Sequence, residues 1–141
     1  MCNYLLKTWS KEQHQTALSS GEAEFYALVK CGSQALGLKA MMADFGLEFR
    51  IHLKTDASAA VGIGMRQGLG KVRHVEVGQL WLQDLIRKGR IGIEKIDGFR
   101  NWADALTKAA GSDMLDLHIK GVGLILRKDR HELNPDLADA V

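Results

Sequence analysis

Apolar and polar residues run along this chain in two rhythms, and each change of rhythm marks an element. From Phe49 to Thr55 (FRIHLKT), Phe, Ile and Leu alternate with Arg, His and Lys. That two-residue period predicts a strand with one buried face. Arg90–Ile96 (RIGIEKI) gives a second strand, with Ile91, Ile93 and Ile96 as its apolar members. Before the first strand the rhythm is helical. Phe25, Leu28, Val29, Ala35, Leu36 and Met42 share one face of a long helix. Ser19-Ser20-Gly21-Glu22 fits the S-x-x-E capping box at its start, and Gly46 fits the glycine that closes it after Phe45.

The remaining segments are shorter. Ala57–Met65 predicts a small Ala-rich helix, and Gln67-Gly68-Leu69-Gly70 a loop. Val75–Lys88 reads as an amphipathic helix through Val77, Leu80, Trp81, Leu85 and Ile86, ended by Gly89. Asp97-Gly98 is a turn signal, and Asn101 can cap a last core helix over Trp102–Ala110. Tyr4–Trp9 and Gln15–Leu18 read as an extended strand or hairpin arm. A further helix is expected around Met114–Ile119, and a frayed polar end over Asn134–Val141. Strands alternating with helices in this order predict an α/β architecture, with helices on a mixed sheet.

Composition narrows the class without naming it. The chain has 141 residues, 46% hydrophobic and 26% charged, with fifteen glycines and one proline. This is the composition of a globular chain and excludes disordered or collagen-like classes. A net charge of +2 is too mild to announce a nucleic-acid partner. Cys2 and Cys31 form no CxxC or zinc spacing, so reduced thiols in an intracellular protein are expected, cytoplasmic or nuclear rather than secreted. No apolar run approaches the ~20 residues of a membrane span, so no membrane partner is expected.

Three acids stand out by position. Asp56 lies just past the first clear strand and is followed by Ala57, Ser58, Ala59 and Ala60. Sites in α/β sheets form beyond strand carboxyl ends, although an N-cap aspartate looks the same in sequence. Glu22 and Glu24 open the long helix roughly 200° apart around its axis. Glu22 is explained by the capping box, whereas Glu24 sits at the edge of the apolar stripe. An acid there is costly unless paired, but a solvated first-turn acid is the commoner case. Asp104 falls in the first turn of the last helix, where the helix dipole alone would favour it. Carboxylates converging at one sheet edge would suit Mg²⁺. Arg66, Lys71, Arg73 and His74 form a basic loop suited to phosphate contacts, or simply a solvated one. Gly64…Gly70-Lys71 has the wrong spacing for a phosphate loop and Val72 in place of Ser/Thr. The remaining histidines have no metal spacing, and the serines no nucleophile-elbow context. Trp81 suits core packing better than base stacking.

Four segments in order carry a resemblance. They are W-S-K-x-Q-x-x-x-A-L-S-S-x-E-A-E-F-x-A-L (Trp9 to Leu28), T-D-A-S-A-A (Thr55 to Ala60), R-H (Arg73-His74) and A-D-A-L-T-K (Ala103 to Lys108). Together they resemble the ribonuclease H domain of Ty1/copia-type retrotransposon polyproteins, from about Leu6 to Lys108. The resemblance implies a five-stranded mixed sheet flanked by helices and cleavage of the RNA strand of RNA–DNA hybrids. It implies two Mg²⁺ (or Mn²⁺) ions on Glu24, Asp56 and Asp104, one activating water and one supporting the leaving oxygen. Ser20 and Ser58, within matching segments, join Arg66, Lys71, Arg73 and His74 as expected substrate contacts. The implied partners are the hybrid and the reverse transcriptase portion of the same polyprotein.

The sequence also departs from the pattern. The family carries its first catalytic aspartate on a strand ahead of W-S-K, and no residue before Trp9 is acidic here. The expectation is therefore a ribonuclease H-like fold over residues 1–110 without its first two strands, followed by a tail over 111–141. Such a chain would be inactive by itself and would have an open sheet edge prone to self-association. Gly98-Phe99-Arg100 also lacks the histidine found there in many cellular ribonucleases H. The rival expectations are a non-catalytic remnant binding nucleic acid or protein, and an α/β small-molecule binder whose acids are caps.

Overall fold

A computed structural model describes residues 5–11, 13, 16–70 and 77–125. Their contacts divide the chain into two units, Lys11–Asn101 and a second built from Met1–Ser10 with Trp102–Val141.

The larger unit starts with the long helix, α1 (Ser20–Asp44). Its start is the one the capping box predicts. Ser19 is extended, and its Oγ accepts a hydrogen bond from the Glu22 N–H at 3.3 Å. The Glu22 carboxylate reaches back to accept from the Leu18 N–H at 3.0 Å. The end is equally local. Gly46 has φ 75°, its N–H donates to Ala43 O, and the Leu47 N–H donates to Met42 O. This paired closure satisfies the last carbonyls, and the positive φ explains the glycine.

The two strands are β1 (Ile51–Thr55) and β2 (Ile91–Lys95). They run parallel in the register Ile51↔Ile91 to Thr55↔Lys95. Parallel neighbours need a crossover, here supplied by α2 (Ser58–Met65) and α3 (Trp81–Arg87). Ile51, Leu53 and Thr55 point inward, while His52 and Lys54 point out. The core joins Phe25, Leu28 and Val29 of α1 to Ile51 and Leu53 of β1. Ala60 and Ile63 of α2, Leu82 of α3 and Ile91 of β2 complete it. Trp81 packs against this cluster, as expected. The α/β class therefore holds.

Several boundaries differ from the sequence reading. Phe49 is exposed and lies outside β1, because pairing with β2 begins at Ile51. The helix expected over Val75–Lys88 is a 3₁₀ turn (Val77–Gln79) followed by α3, and residues 75 and 76 lie outside the described set. Residues 5–11, 13 and 16–18 form no strand. Leu5 and Leu6 are exposed there, and Lys7 Nζ lies 5.7 Å from the centre of the Trp9 ring. A strand needs a partner edge, and among the described residues none is offered to this segment. Burial on α1 also stops early, at Gly32. A helix of this length spans about 37 Å, against about 17 Å for a five-residue strand. The rest of α1 outruns the strand it covers, leaving Met41 and Phe45 exposed.

In the smaller unit, a 3₁₀ segment (Trp102–Leu106) replaces the expected last α-helix over Trp102–Ala110. The Asp104 carbonyl takes the N–H groups of both Thr107 and Lys108, and the chain then opens before α4 (Ser112–Gly121). The helix expected around Met114–Ile119 is this α4. His118 is buried on it, edge-on to Trp102 at 5.6 Å, and neither ring nitrogen finds a hydrogen-bond partner. No helix among the described residues is long and apolar enough to cross a membrane.

Gly21 sets how closely α1 and α2 approach. A Cβ there would lie 2.7 Å from Ala59 Cβ. Gly21→Ala is expected to destabilise by about 1–3 kcal/mol, because the clash outweighs a helix-propensity gain of at most about 1 kcal/mol. Urea denaturation checks this, and a more stable variant would contradict the close approach.

Candidate functional site

The parallel pair ends where its loops begin, and the acids read from sequence can be placed against that end. Asp56 is the residue after β1, half-buried, and it is not a helix cap. The N-cap position of α2 is Ala57, with no side-chain cap bond, and the Ala57 N–H donates to Thr55 Oγ1. The Asp56 carboxylate instead accepts a hydrogen bond from Asn101 Nδ2 at 3.3 Å. It lines an open cleft of about 390 Å³ with Lys95, Ile96, Asp97 and Gly98. The alternative of Asp56 as a cap is thereby removed.

The turn after β2 builds the other wall. Asp97 Oδ1 accepts from the Phe99 N–H at 3.2 Å, and the Arg100 and Asn101 N–H groups donate to Asp97 O and Gly98 O. This tight turn (Gly98–Arg100) delivers Asn101 to Asp56. Lys95 and Asp97 line the cleft with Asp56, and Asn101 donates to it, without a sequence signal that places them there. Asp97-Gly98 read only as a turn and Asn101 only as a cap, and neither signal points to a residue 45 positions away.

The two glutamates separate as the capping argument requires. Glu22 is 3% exposed and belongs to the helix start. Glu24 is exposed, which matches the reading of a solvated first-turn acid rather than a costly acid at the apolar edge. Ser20 and Ser58 open α1 and α2 and are both exposed. Asp104 belongs to the smaller unit, where its carboxylate pairs with Lys108 Nζ at 2.8 Å. Arg66 follows α2, while Lys71, Arg73 and His74 lie outside the described residues. Cys31 is a free, half-buried thiol whose burial pushes its pKa up, the opposite of a reactive cysteine.

Among the described residues no three His, Cys, Asp or Glu side chains come together as a cation site. Asp56 is engaged by Asn101, Asp104 by Lys108, and Glu24 lies in solvent.

Comparison with known proteins adds one observation. The chain is 26% identical over 117 residues to a retrovirus-related Pol polyprotein from transposon TNT 1-94 of Nicotiana tabacum. The match covers 82% of this chain and 9% of that polyprotein. No family model matches, and no solved structure matches. The similarity supports a retrotransposon polyprotein origin for this sequence.

Proposed function

We propose that this chain, as a piece of a copia-type Pol polyprotein, is of ribonuclease H-like descent and does not cleave RNA–DNA hybrids by itself. One observation carries the reading. The aspartate of T-D-A-S-A-A stands at the carboxyl end of a strand in a parallel pair, where α/β folds place their chemistry, and its capping explanation is gone. The motif order from Trp9 to Lys108 and the similarity to a transposon polyprotein give further support. Inactivity of the isolated chain is proposed on the Asp56–Asn101 hydrogen bond and the exposure of Glu24. Hydrolysis of this type needs ions held by several oxygen ligands at once. Within a longer polyprotein segment that includes the reverse transcriptase portion, Asp56, Glu24 and Asp104 are the acids on which hybrid cleavage would depend.

A labelled RNA–DNA hybrid tests both parts. The isolated chain with Mg²⁺ or Mn²⁺ is expected to leave the RNA strand intact. A longer polyprotein segment containing this chain is expected to cut it and to lose the activity in Asp56→Asn. Cleavage by the isolated chain that disappears in Asp56→Asn would overturn the proposed inactivity. A longer segment whose cleavage survives Asp56→Asn would overturn the site.

A further inference from the structure

We propose that α4 belongs to the candidate site, and that Trp102, seated on His118 and Gly121, is the positioning residue for the turn that carries Asp104. This rests on the role proposed for Asp104 above and adds the element that holds it in place.

The turn does not hold itself. Asp104 sits in a five-residue 3₁₀ segment, Trp102–Leu106. Such a segment has poorer hydrogen-bond geometry than an α-helix and is too short to be stable alone. The Asp104 carbonyl takes the N–H groups of Thr107 and Lys108, and its carboxylate takes Nζ of Lys108, an exposed lysine. These bonds all close within four residues. They shape the turn without fixing where it lies, and an ion pair to an exposed lysine adds little.

What fixes it is α4. Both elements belong to the smaller unit, and the segment packs on the helix. Trp102 opens the segment and stands edge-on to His118, with 5.6 Å between ring centres and 75° between ring planes. His118 is buried and neither ring nitrogen is bonded. A buried imidazole without partners is costly, so what it contributes here is its ring surface, as a wall for the indole.

Gly121 is the other side of the seat. A Cβ there would lie 2.7 Å from Trp102 Cζ2 and 2.8 Å from Cε2 and Cη2. The backbone does not ask for this glycine. Gly123, with φ 76°, follows the end of the helix, whereas Gly121 is itself helical, and alanine is the better helix former. The missing side chain is the space the indole fills. Trp102 lies two residues before Asp104, so a displaced ring shifts the carboxylate. A misplacement of about 1 Å can cost roughly 100-fold in rate.

Amide hydrogen exchange in the full chain and hybrid cleavage by the longer polyprotein segment test this together. Gly121→Ala is expected to unseat Trp102 and to lower protection of the Thr107 and Lys108 amides about fivefold or more. The amides of β1 and β2 are expected to be unchanged, which shows that the chain still folds. Helix propensity works in the opposite direction, so weaker protection reports the clash. In the longer segment, Gly121→Ala is expected to lower kcat about tenfold with KM for the hybrid unchanged. Adding Trp102→Phe, whose shorter ring leaves room for the new methyl, is expected to restore part of both losses. Unchanged protection in folded Gly121→Ala overturns the seat, as does a loss that Trp102→Phe does not relieve. Lowered protection with unchanged kcat overturns the positioning role. A longer segment that cuts no hybrid, or still cuts it in Asp104→Asn, overturns the role of Asp104 and with it the positioning, while exchange judges the seat separately.

Discussion

Phe25→Ala is expected to remove about 3–5 kcal/mol of stability, the largest effect of any single truncation in the larger unit. Phe25 is 0% exposed and belongs to the cluster that joins α1 to β1, α2, α3 and β2. Truncation removes the transfer free energy of the ring and leaves a cavity among elements that pack on one another and cannot all close in. Domains of this size carry only about 5–15 kcal/mol in total, so the variant should be close to unfolded at physiological temperature. A fall in the urea midpoint with an unchanged m-value would identify lost core packing. A loss below about 1 kcal/mol would show that α1 is not seated on the sheet through Phe25.

The second large effect separates two glutamates that differ by two positions. Glu22→Ala is expected to cost about 1–2 kcal/mol, because the Leu18 N–H loses its acceptor in the nearly buried Glu22 carboxylate and the capping box opens. Glu24→Ala is expected to stay within about 0.5 kcal/mol, as exposed substitutions do. Activity should divide the other way. In the longer polyprotein segment, Glu24→Gln is expected to abolish hybrid cleavage at unchanged stability. Equal stability losses in the two alanine variants would remove the structural distinction. Full cleavage in Glu24→Gln would remove Glu24 from the site.

Both residues show what local sequence can and cannot carry. The capping box was legible because its partners lie within four residues, and the structure repeats it with Ser19, Glu22 and Leu18. The long helix, its closure at Gly46 and the core of each strand were legible for the same reason. The exposure of Glu24 was the commoner of two readings, and the sequence could not choose between them, because a place at the edge of the apolar stripe does not say how far the neighbouring elements extend over it. The last core helix failed similarly. Trp102–Leu106 has the pattern of a helix start, but the Asp104 carbonyl closes a tighter turn and the chain leaves the axis.

The candidate site divides along the same line. Asp56 could be picked out from a strand-end position and a motif, both of which are short-range. Its environment could not. Asn101 reaches Asp56 only because β1 and β2 lie side by side in parallel and the turn at Asp97 folds back over the strand ends. Gln83 braces the Arg66 turn only because the crossover brings α3 against the end of α2.

By itself, then, the sequence determined the α/β order of elements, the caps and the apolar faces. Each follows from hydrogen bonds and periodicities within a few residues. Tertiary structure alone decided that Asp56 faces Asn101 rather than a helix end, and that Gln83 braces the turn after α2. Those are questions of which distant groups share a small volume, and only strand register and helix packing fix that volume.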